Sequence, residues 1–131
     1  MIGEKATLRS MMRESDGHYV GGLVNGARIL HFFGDVATEL MVRVDGDISL
    51  FCGYEEIKFT APVYVGDFME YSGWIEKVGN TSYTLKFEAY KVATMCDRAG
   101  IDDVEHTAAT CCIPPVLCGT ATGTLVIPKK L

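Results

Sequence analysis

The spacing of apolar residues predicts one long amphipathic helix in the first third of the chain. From Ala27 onward, apolar side chains recur every three or four residues, and this spacing gathers them on one face of a helix. They are Ile29, Phe33, Val36, Ala37, Leu40 and Met41. Asn25 precedes them, in the position where a side-chain oxygen caps the first free backbone N–H groups. The pattern therefore predicts a buried helix of about four to five turns, capped by Asn25.

Beyond the helix, the pattern changes to the alternation that is typical of strands. Apolar and polar side chains alternate between residues 83 and 90, which indicates a strand with one buried face. Its buried positions are Tyr83, Leu85, Phe87 and Ala89. The turn-rich sequence GNTS, at residues 79–82, joins this strand to the preceding one. These features predict a long antiparallel hairpin over residues 67–92.

Further strands are predicted at both ends of the chain and directly after the helix. The sequence indicates a first strand at residues 5–12, a strand in EEIKFTAPV and a final strand at residues 120–128. Residues 96–114 lack periodicity, and a loop of that length in a compact domain is usually functional or mobile. One helix followed by antiparallel strands predicts an α+β fold, in which the helix lies across a curved sheet.

Composition limits the class of protein. The 131 residues are 48% hydrophobic, which fits a single domain over residues 1–131. We find no apolar run near the roughly 20 residues that cross a bilayer, and no signal peptide, so we expect a cytoplasmic protein without a membrane partner. A formal net charge of -5 argues against binding to nucleic acid.

The cysteines indicate free thiols and no metal. Their number is odd, at five, and Cys111 and Cys112 are adjacent, which fits a reducing compartment better than a disulfide framework. No pair has the CxxC spacing that is typical of a zinc site, so no metal is expected.

Two acidic pairs are candidates for proton transfer. Asp35 and Glu39 stand one turn apart on the predicted helix, and two like charges at that spacing are typical of a functional pair, so either carboxylate is a candidate base. The alternative is a solvated flank, or one that Arg28 neutralises. Glu55 and Glu56 form the second pair, at the start of EEIKFTAPV.

Strand alternation separates the two glutamates of the second pair. It places Glu55 on the side of Ile57 and Phe59, facing the apolar interior, and Glu56 on the other side. Solvation of both glutamates is again the alternative.

Histidine is the side chain that titrates nearest neutral pH, and the chain contains three. His18 lies beside Tyr19 in a glycine-bounded loop before the helix, where it is either a proton-transfer group or a structural residue. His31 falls on the opposite side of the predicted helix and His106 in the unpatterned loop, so neither is assigned a role.

Several stretches of the sequence resemble one known family. They are LVNGARI, GDVATELMV, VDGDISLF, FTAPVYVGDFMEY, GWIEKVGN and PPVLCG. They resemble the β-alanyl-CoA/3-aminobutyryl-CoA ammonia-lyases, which are hotdog-fold acyl-CoA enzymes. The match runs through most of residues 14–128 and fades in residues 97–113. The resemblance implies a hotdog fold, in which a curved antiparallel sheet wraps one long central helix.

The resemblance also implies a reaction and an assembly. The reaction is the reversible elimination of ammonia from a 3-aminoacyl-CoA, either β-alanyl-CoA or 3-aminobutyryl-CoA, to give acryloyl-CoA or crotonyl-CoA. No cofactor is expected beyond the coenzyme A moiety of the substrate. The expected assembly is a homodimer with the site at its interface, further assembled into a homohexamer.

The chemistry of this reaction assigns roles to the candidate residues. A base must take the α-proton, fixed N–H donors must stabilise the enolate oxygen, and carboxylates attract the substrate ammonium. The expected catalytic residues are Asp35, Glu55 and His18, the expected substrate-binding residues are Tyr19, Asn25, Gly26, Ala27 and Glu39, and the expected coenzyme A contacts are Lys77, Asn80 and Ser82. Whether the base is Asp35, Glu55 or Glu56 is left open.

Two other functions fit the same features. A hotdog thioesterase would use its carboxylate to activate water for attack on the thioester carbonyl. A non-catalytic subunit would only bind acyl-CoA, because a fold by itself does not determine a function.

Overall fold

The computed structural model describes residues 1–130 and contains one long helix and seven strands. The helix α1 spans Gly26–Asp45. The strands are β1 (Lys5–Met11), β2 (Leu23–Val24), β3 (Leu50–Phe59), β4 (Val63–Tyr64), β5 (Phe68–Val78), β6 (Ser82–Met95) and β7 (Ala109–Val126). Within residues 1–130, no helix has both the length and the apolar character that crossing a membrane requires.

Helix α1 begins and ends at the residues whose chemistry favours those positions. The Asn25 side chain accepts a hydrogen bond of 3.1 Å from the Arg28 backbone N–H, which confirms the predicted cap. At the other end Gly46 adopts the left-handed conformation, with φ 65°, and its N–H donates to the Val42 carbonyl. All six residues of the predicted apolar face are buried, as is Phe32.

The main sheet is antiparallel, in the order β1-β5-β6-β7-β3. Strands β5 and β6 form the predicted hairpin, and the four predicted apolar positions of β6 are buried. Strands β2 and β4 pair separately, with Leu23 opposite Tyr64 and Val24 opposite Val63. The predicted arrangement, one helix lying across an antiparallel sheet, is confirmed.

The last strand differs from the prediction because it begins at Ala109, well before residue 120. The predicted loop of residues 96–114 is therefore too long. Pairing with β6 shifts register, since Lys91 faces Val116 whereas Ala93 faces Cys111. The intervening residues bulge out of the ladder, where Pro114 and Pro115 need no N–H group for pairing. Because proline usually argues against a strand, Pro114 and Pro115 prevented the start of β7 from being predicted.

Aromatic stacking joins the helix to the sheet. The Phe33 ring, which is fully buried, stacks on Phe87 of β6 at 5.1 Å between ring centroids. Phe32 stacks on Tyr71 of β5 at 4.6 Å. A side chain at Gly73 would lie 2.9 Å from both Phe87 and Val36, so glycine is required for this close approach. The stacked aromatic layer fixes the position of α1 on the sheet.

An ion cluster joins the C-terminal end of α1 to Lys129 and Lys130. The Asp45 carboxylate lies 2.9 Å from Lys130 Nζ and 3.1 Å from Lys129 Nζ, and it accepts a hydrogen bond of 2.9 Å from the Tyr83 hydroxyl. These donors, Lys130 first, lower the pKa of Asp45 to about 2. The charged form of Asp45 therefore stabilises the folded state.

The Phe33→Ala substitution should lower the free energy of unfolding by about 3–5 kcal/mol, because it leaves a cavity between α1 and β6. Denaturant unfolding at a fixed protein concentration measures this loss. The matched control is Phe68→Ala, since Phe68 is 39% exposed and should lose much less. Equal losses in the two variants would contradict the central position of Phe33.

The Asp45→Asn substitution should lower the melting temperature at pH 7, because the amide cannot pair with the two lysines. The pKa of Asp45 is lowered in the folded state, so its stabilisation is complete above about pH 4 and is lost as the pH falls toward 2. The difference in melting temperature between variant and wild type should shrink over that range. A difference that stayed constant would show that the charge of Asp45 does not stabilise the fold.

Candidate active site

Two cavities flank the N-terminus of α1. The larger, of about 380 Å³, is lined by Tyr19, Leu23, Val24, Asn25, Gly26, Ile29, Phe59, Thr60, Ala61, Pro62 and Val63. The smaller, of about 280 Å³, is lined by Ser15, Asp16, Gly17, His18, Asn25, Ala27, Arg28 and His31. Asn25 borders both cavities, so the capped end of the helix stands between them. Five residues that the sequence predicted for the site therefore come together here: His18, Tyr19, Asn25, Gly26 and Ala27.

The first turn of α1 offers backbone donors to these cavities. The N–H groups of the first helical residues have no acceptor within the helix, and the helix dipole adds partial positive charge to them. At Gly26 any side chain would lie 2.3 Å from the Phe59 ring, so glycine lets this ring cover the first turn. The result is a set of N–H donors beside an apolar wall, which can stabilise an oxyanion.

The loop before the helix places His18 and Tyr19 at different cavities. The backbone N–H groups of both residues donate to the Leu23 carbonyl, at 3.0 and 3.3 Å. Gly21 and Gly22 close the turn with φ of 85° and 77°, in the region that favours glycine. The His18 and Tyr19 rings meet edge to face at 4.9 Å between centroids. His18 thus lines the smaller cavity and Tyr19 the larger.

A network of hydrogen bonds that the sequence did not predict lines the smaller cavity. The buried Asp16 accepts 2.7 Å from Arg28 Nε and 2.8 Å from the Arg13 N–H. Arg28 Nη1 lies 2.9 Å from His31 Nδ1. Because a guanidinium only donates, Nδ1 accepts, and a neutral His31 carries its proton on Nε2. His31 therefore borders the same cavity as His18, which sequence reasoning did not foresee.

These hydrogen bonds exclude one alternative interpretation, in which Arg28 neutralises Asp35 and Glu39. Arg28 pairs with Asp16, and not with the carboxylates of the helix flank as the alternative interpretation required. Asp16 and Arg28 are separated by the whole glycine-rich loop, so no local spacing could predict their pairing.

A buried ion pair holds the wall of the larger cavity. Lys91 Nζ of β6 lies 3.1 Å from the carboxylate of Asp67 and donates 2.8 Å to the Pro62 carbonyl. The other Asp67 oxygen accepts from Thr94, and the Tyr64 N–H donates to the same carboxylate. Full hydrogen bonding offsets the desolvation of these charges. The segment between β3 and β5 is thereby fixed to β6.

Asp35 and Glu39 lie on an exposed flank of α1, away from these cavities. Neither carboxylate makes a salt bridge or side-chain hydrogen bond with any of residues 1–130. The residue before Asp35, Gly34, lies near Tyr54 of β3, since a Cβ added at Gly34 would be 3.9 Å from the Tyr54 hydroxyl. Burial, and then the charge of Asp35, raise the pKa of Tyr54. The Tyr54 hydroxyl donates 2.6 Å to the Leu30 carbonyl and so attaches β3 to the helix. Along the axis, Asp35 is about 13 Å and Glu39 about 20 Å from Gly26.

The predicted orientation of Glu55 is wrong. Glu55 pairs with Thr122 and Lys58 with Thr120, so β3 contains one extra residue between them. This bulge, in which Glu56 has φ 54°, reverses the alternation, so Glu55 and Phe59 face opposite sides of the sheet. Glu55 is exposed on the face away from the helix, and Glu56 lies 3.4 Å from Lys86 on that same face.

The three predicted contacts for coenzyme A lie at the far end of the protomer. Lys77, Asn80 and Ser82 surround the β5–β6 turn, next to Tyr83 and therefore next to Asp45 at the end of α1. The 20-residue helix is about 30 Å long, and this length separates the turn from the two cavities. The structure therefore does not bring these residues to the helix N-terminus of the same protomer.

Comparison with known proteins identifies the relatives of this chain. The family model of the Thioesterase superfamily matches residues 21–96. The chain is 46% identical over 125 residues to the 3-aminobutyryl-CoA ammonia lyase of Acetoanaerobium sticklandii, with 95% of each covered. It is 67% identical to the solved β-alanyl-CoA:ammonia lyase of Clostridium propionicum, with a TM-score of 0.89 over 98% of this chain and 88% of that one.

More distant structures share the fold. A hexameric hotdog-fold thioesterase of Campylobacter jejuni is 19% identical, with a TM-score of 0.70 over 91% of this chain and 79% of that one. The superfamily match spans more than half of the chain, and the identities to the two ammonia lyases extend over nearly all of it. The predicted hotdog fold is confirmed, and the chain belongs to the β-alanyl-CoA/3-aminobutyryl-CoA ammonia-lyase family within the Thioesterase superfamily.

Proposed function

We propose that the protein catalyses the reversible elimination of ammonia from a 3-aminoacyl-CoA, which makes it a carbon-nitrogen lyase. The observation that carries this proposal is the 67% identity, over 98% of the chain, to a β-alanyl-CoA:ammonia lyase. The products are ammonia and acryloyl-CoA from β-alanyl-CoA, or crotonyl-CoA from 3-aminobutyryl-CoA. The two substrates differ by one methyl group, which an apolar pocket discriminates by only about 1–3 kcal/mol.

The reaction starts at the N-terminus of α1. The thioester oxygen binds to the backbone N–H groups of Gly26 and Ala27, where the negative charge of the enolate is stabilised. Removal of the α-proton gives this enolate, whose electrons then form the carbon-carbon double bond as the carbon-nitrogen bond breaks. Because the substrate amine is bound as an ammonium ion, nitrogen leaves as neutral ammonia. No cofactor beyond the coenzyme A moiety takes part in this proposal.

The base comes from the partner subunit. The α-carbon is bonded to the thioester carbonyl, and a base must approach its proton to within about 3 Å. Asp35 of the same protomer is too far along the helix to do so. Asp35 of the partner subunit is therefore the proposed base, and Glu39 of the partner subunit attracts the ammonium. His18 belongs to the protomer whose helix N-terminus binds the thioester, and it assists proton transfer. The exposure of Asp35 and Glu39 supports this arrangement.

The edge of the sheet is suited to such a partner. Strand β3 ends the sheet, so its outer backbone groups are free to pair with another strand. Large apolar side chains remain exposed along it, namely Leu50 at 58%, Ile57 at 40% and Phe59 at 51%. We propose a homodimer across this edge and a homohexamer built from it. Lys77, Asn80 and Ser82 then contact the coenzyme A of a thioester bound to the partner.

A thioesterase is the second candidate, because the superfamily match covers the helix and five of the seven strands, β2 to β6. Mass spectrometry of acryloyl-CoA or crotonyl-CoA incubated with ammonium separates the functions. We expect a 3-aminoacyl-CoA. Free coenzyme A would instead indicate a thioesterase, and unchanged substrate would indicate a non-catalytic subunit.

Asp35→Asn should lower kcat for ammonia addition by about 100-fold to 10,000-fold, which is the usual contribution of a general base. Glu55→Gln and Glu56→Gln, which alter exposed carboxylates on the opposite face of the sheet, are the matched controls. They should change kcat less than about threefold, since both carboxylates are exposed to solvent, which screens their charges. A large loss in Glu55→Gln with none in Asp35→Asn would reverse the assignment of the base.

Subunit mixing tests whether the site is shared. A Gly26→Val variant should lose the thioester-binding turn, because the new side chain would meet the Phe59 ring. Dimers that combine Asp35→Asn with Gly26→Val contain one intact composite site, so activity should return on co-expression. If the mixture stays as inactive as its parents, both groups act within one protomer.

A further inference from the structure

The loop after β6 reaches the loop that carries His18 and Tyr19. We name residues 17–22 the glycine loop. Arg98 Nη2 donates a hydrogen bond of 2.8 Å to the Gly21 carbonyl at its tip. The same guanidinium stacks on Tyr64 of β4, with its central carbon 3.9 Å from the ring centroid. One side chain thus connects three separate segments of the chain.

The backbone around Arg98 is itself fixed. The Arg98 N–H donates to the Met95 carbonyl at 3.0 Å and to the Asp97 carboxylate at 2.8 Å. The Ala99 N–H also donates to Met95, and the Ile101 N–H donates to the Cys96 carbonyl at 2.9 Å. A guanidinium can lay its flat face on a ring while its N–H groups donate in the plane, whereas a lysine ammonium has no flat face to stack. Arg98 therefore presents a rigid contact to the glycine loop.

The tip of the glycine loop has little other support. The ends of the loop are held by backbone hydrogen bonds, including one of 2.8 Å from the Val65 N–H to the Gly22 carbonyl. Val20 at the tip is fully exposed, and two adjacent glycines leave the backbone many alternative conformations. Within residues 1–130, no side chain other than that of Arg98 hydrogen-bonds to residues 18–22.

We propose that Arg98 is a positioning residue for the ammonia-lyase reaction, acting through the glycine loop. It holds Gly21, and thereby keeps His18 at the smaller cavity and Tyr19 at the larger one. This inference rests on the proposed function, because only a thioester bound between those cavities needs both side chains in place. A misplacement of about 1 Å at such a site can lower the rate by roughly 100-fold.

Two pairs of variants test the contact. Arg98→Met and Tyr64→Leu should each lower kcat for ammonia addition at least tenfold, with Arg98→Lys in between because it keeps only the charge. Tyr64→Phe should stay within twofold of wild type, since the ring remains and the hydroxyl makes no hydrogen bond with residues 1–130. Arg9→Met is the control for loss of an exposed arginine, as Arg9 pairs with Glu70 on the sheet.

Amide hydrogen exchange supplies a readout that does not depend on turnover. Exchange in residues 17–24 should rise in Arg98→Met and Tyr64→Leu, with the rest of the chain and the melting temperature unchanged. Normal kcat with unchanged exchange would overturn the proposal, as would faster exchange throughout the chain with normal kcat. If the wild type forms no 3-aminoacyl-CoA, the proposed function fails, and the local exchange then decides whether Arg98 holds the loop.

Discussion

The structure depends on the burial of one aromatic face of α1 against the sheet. Phe33 stacks on Phe87 and Phe32 on Tyr71, while Gly73 leaves the space that this contact needs. Aromatic pairs stabilise the contact beyond what the burial of apolar area contributes. Because the interior is close-packed, the two pairs together allow the helix only one position on the sheet. The position of the helix determines where its N-terminus emerges, and therefore where the two cavities form. The chemistry at Gly26 depends on packing about two turns away.

The two ends of α1 carry partial charges of opposite sign, positive at the N-terminus and negative at the C-terminus, and different residues interact with each end. The N-terminus keeps its free N–H groups accessible beside Asn25, because only Arg28 is capped by that side chain. At the C-terminus an acidic residue, Asp45, stands against the negative end of the helix dipole, which is unfavourable by itself. Lys129 and Lys130 neutralise it. Lys129 and Lys130 therefore stabilise the folded state through their contacts with Asp45.

Patterns of short period predicted most of the fold, and interactions between distant residues account for what they missed. The start of α1, its buried face and the β5–β6 hairpin follow from residues within a few positions of one another, so the sequence predicted them. The bulge that reverses Glu55 depends on the register of β3 against β7, and the early start of β7 on its pairing with β6. The pairs Asp16–Arg28 and Arg98–Gly21 join segments far apart in the chain. Nothing in the local spacing of these residues encodes their contacts.

The same distinction applies to the site. The predicted residues near the start of α1 line the same two cavities because they are close in the sequence and the capped end of the helix lies between those cavities. Asp35 and Glu39 share that helix, yet its rigid rise separates them from Gly26 by two turns or more. A helix cannot shorten this distance without breaking its hydrogen bonds, so a reaction that needs both the N–H donors and a helix carboxylate needs two helices. In the proposed dimer, a second subunit on the exposed edge of β3 supplies the other one.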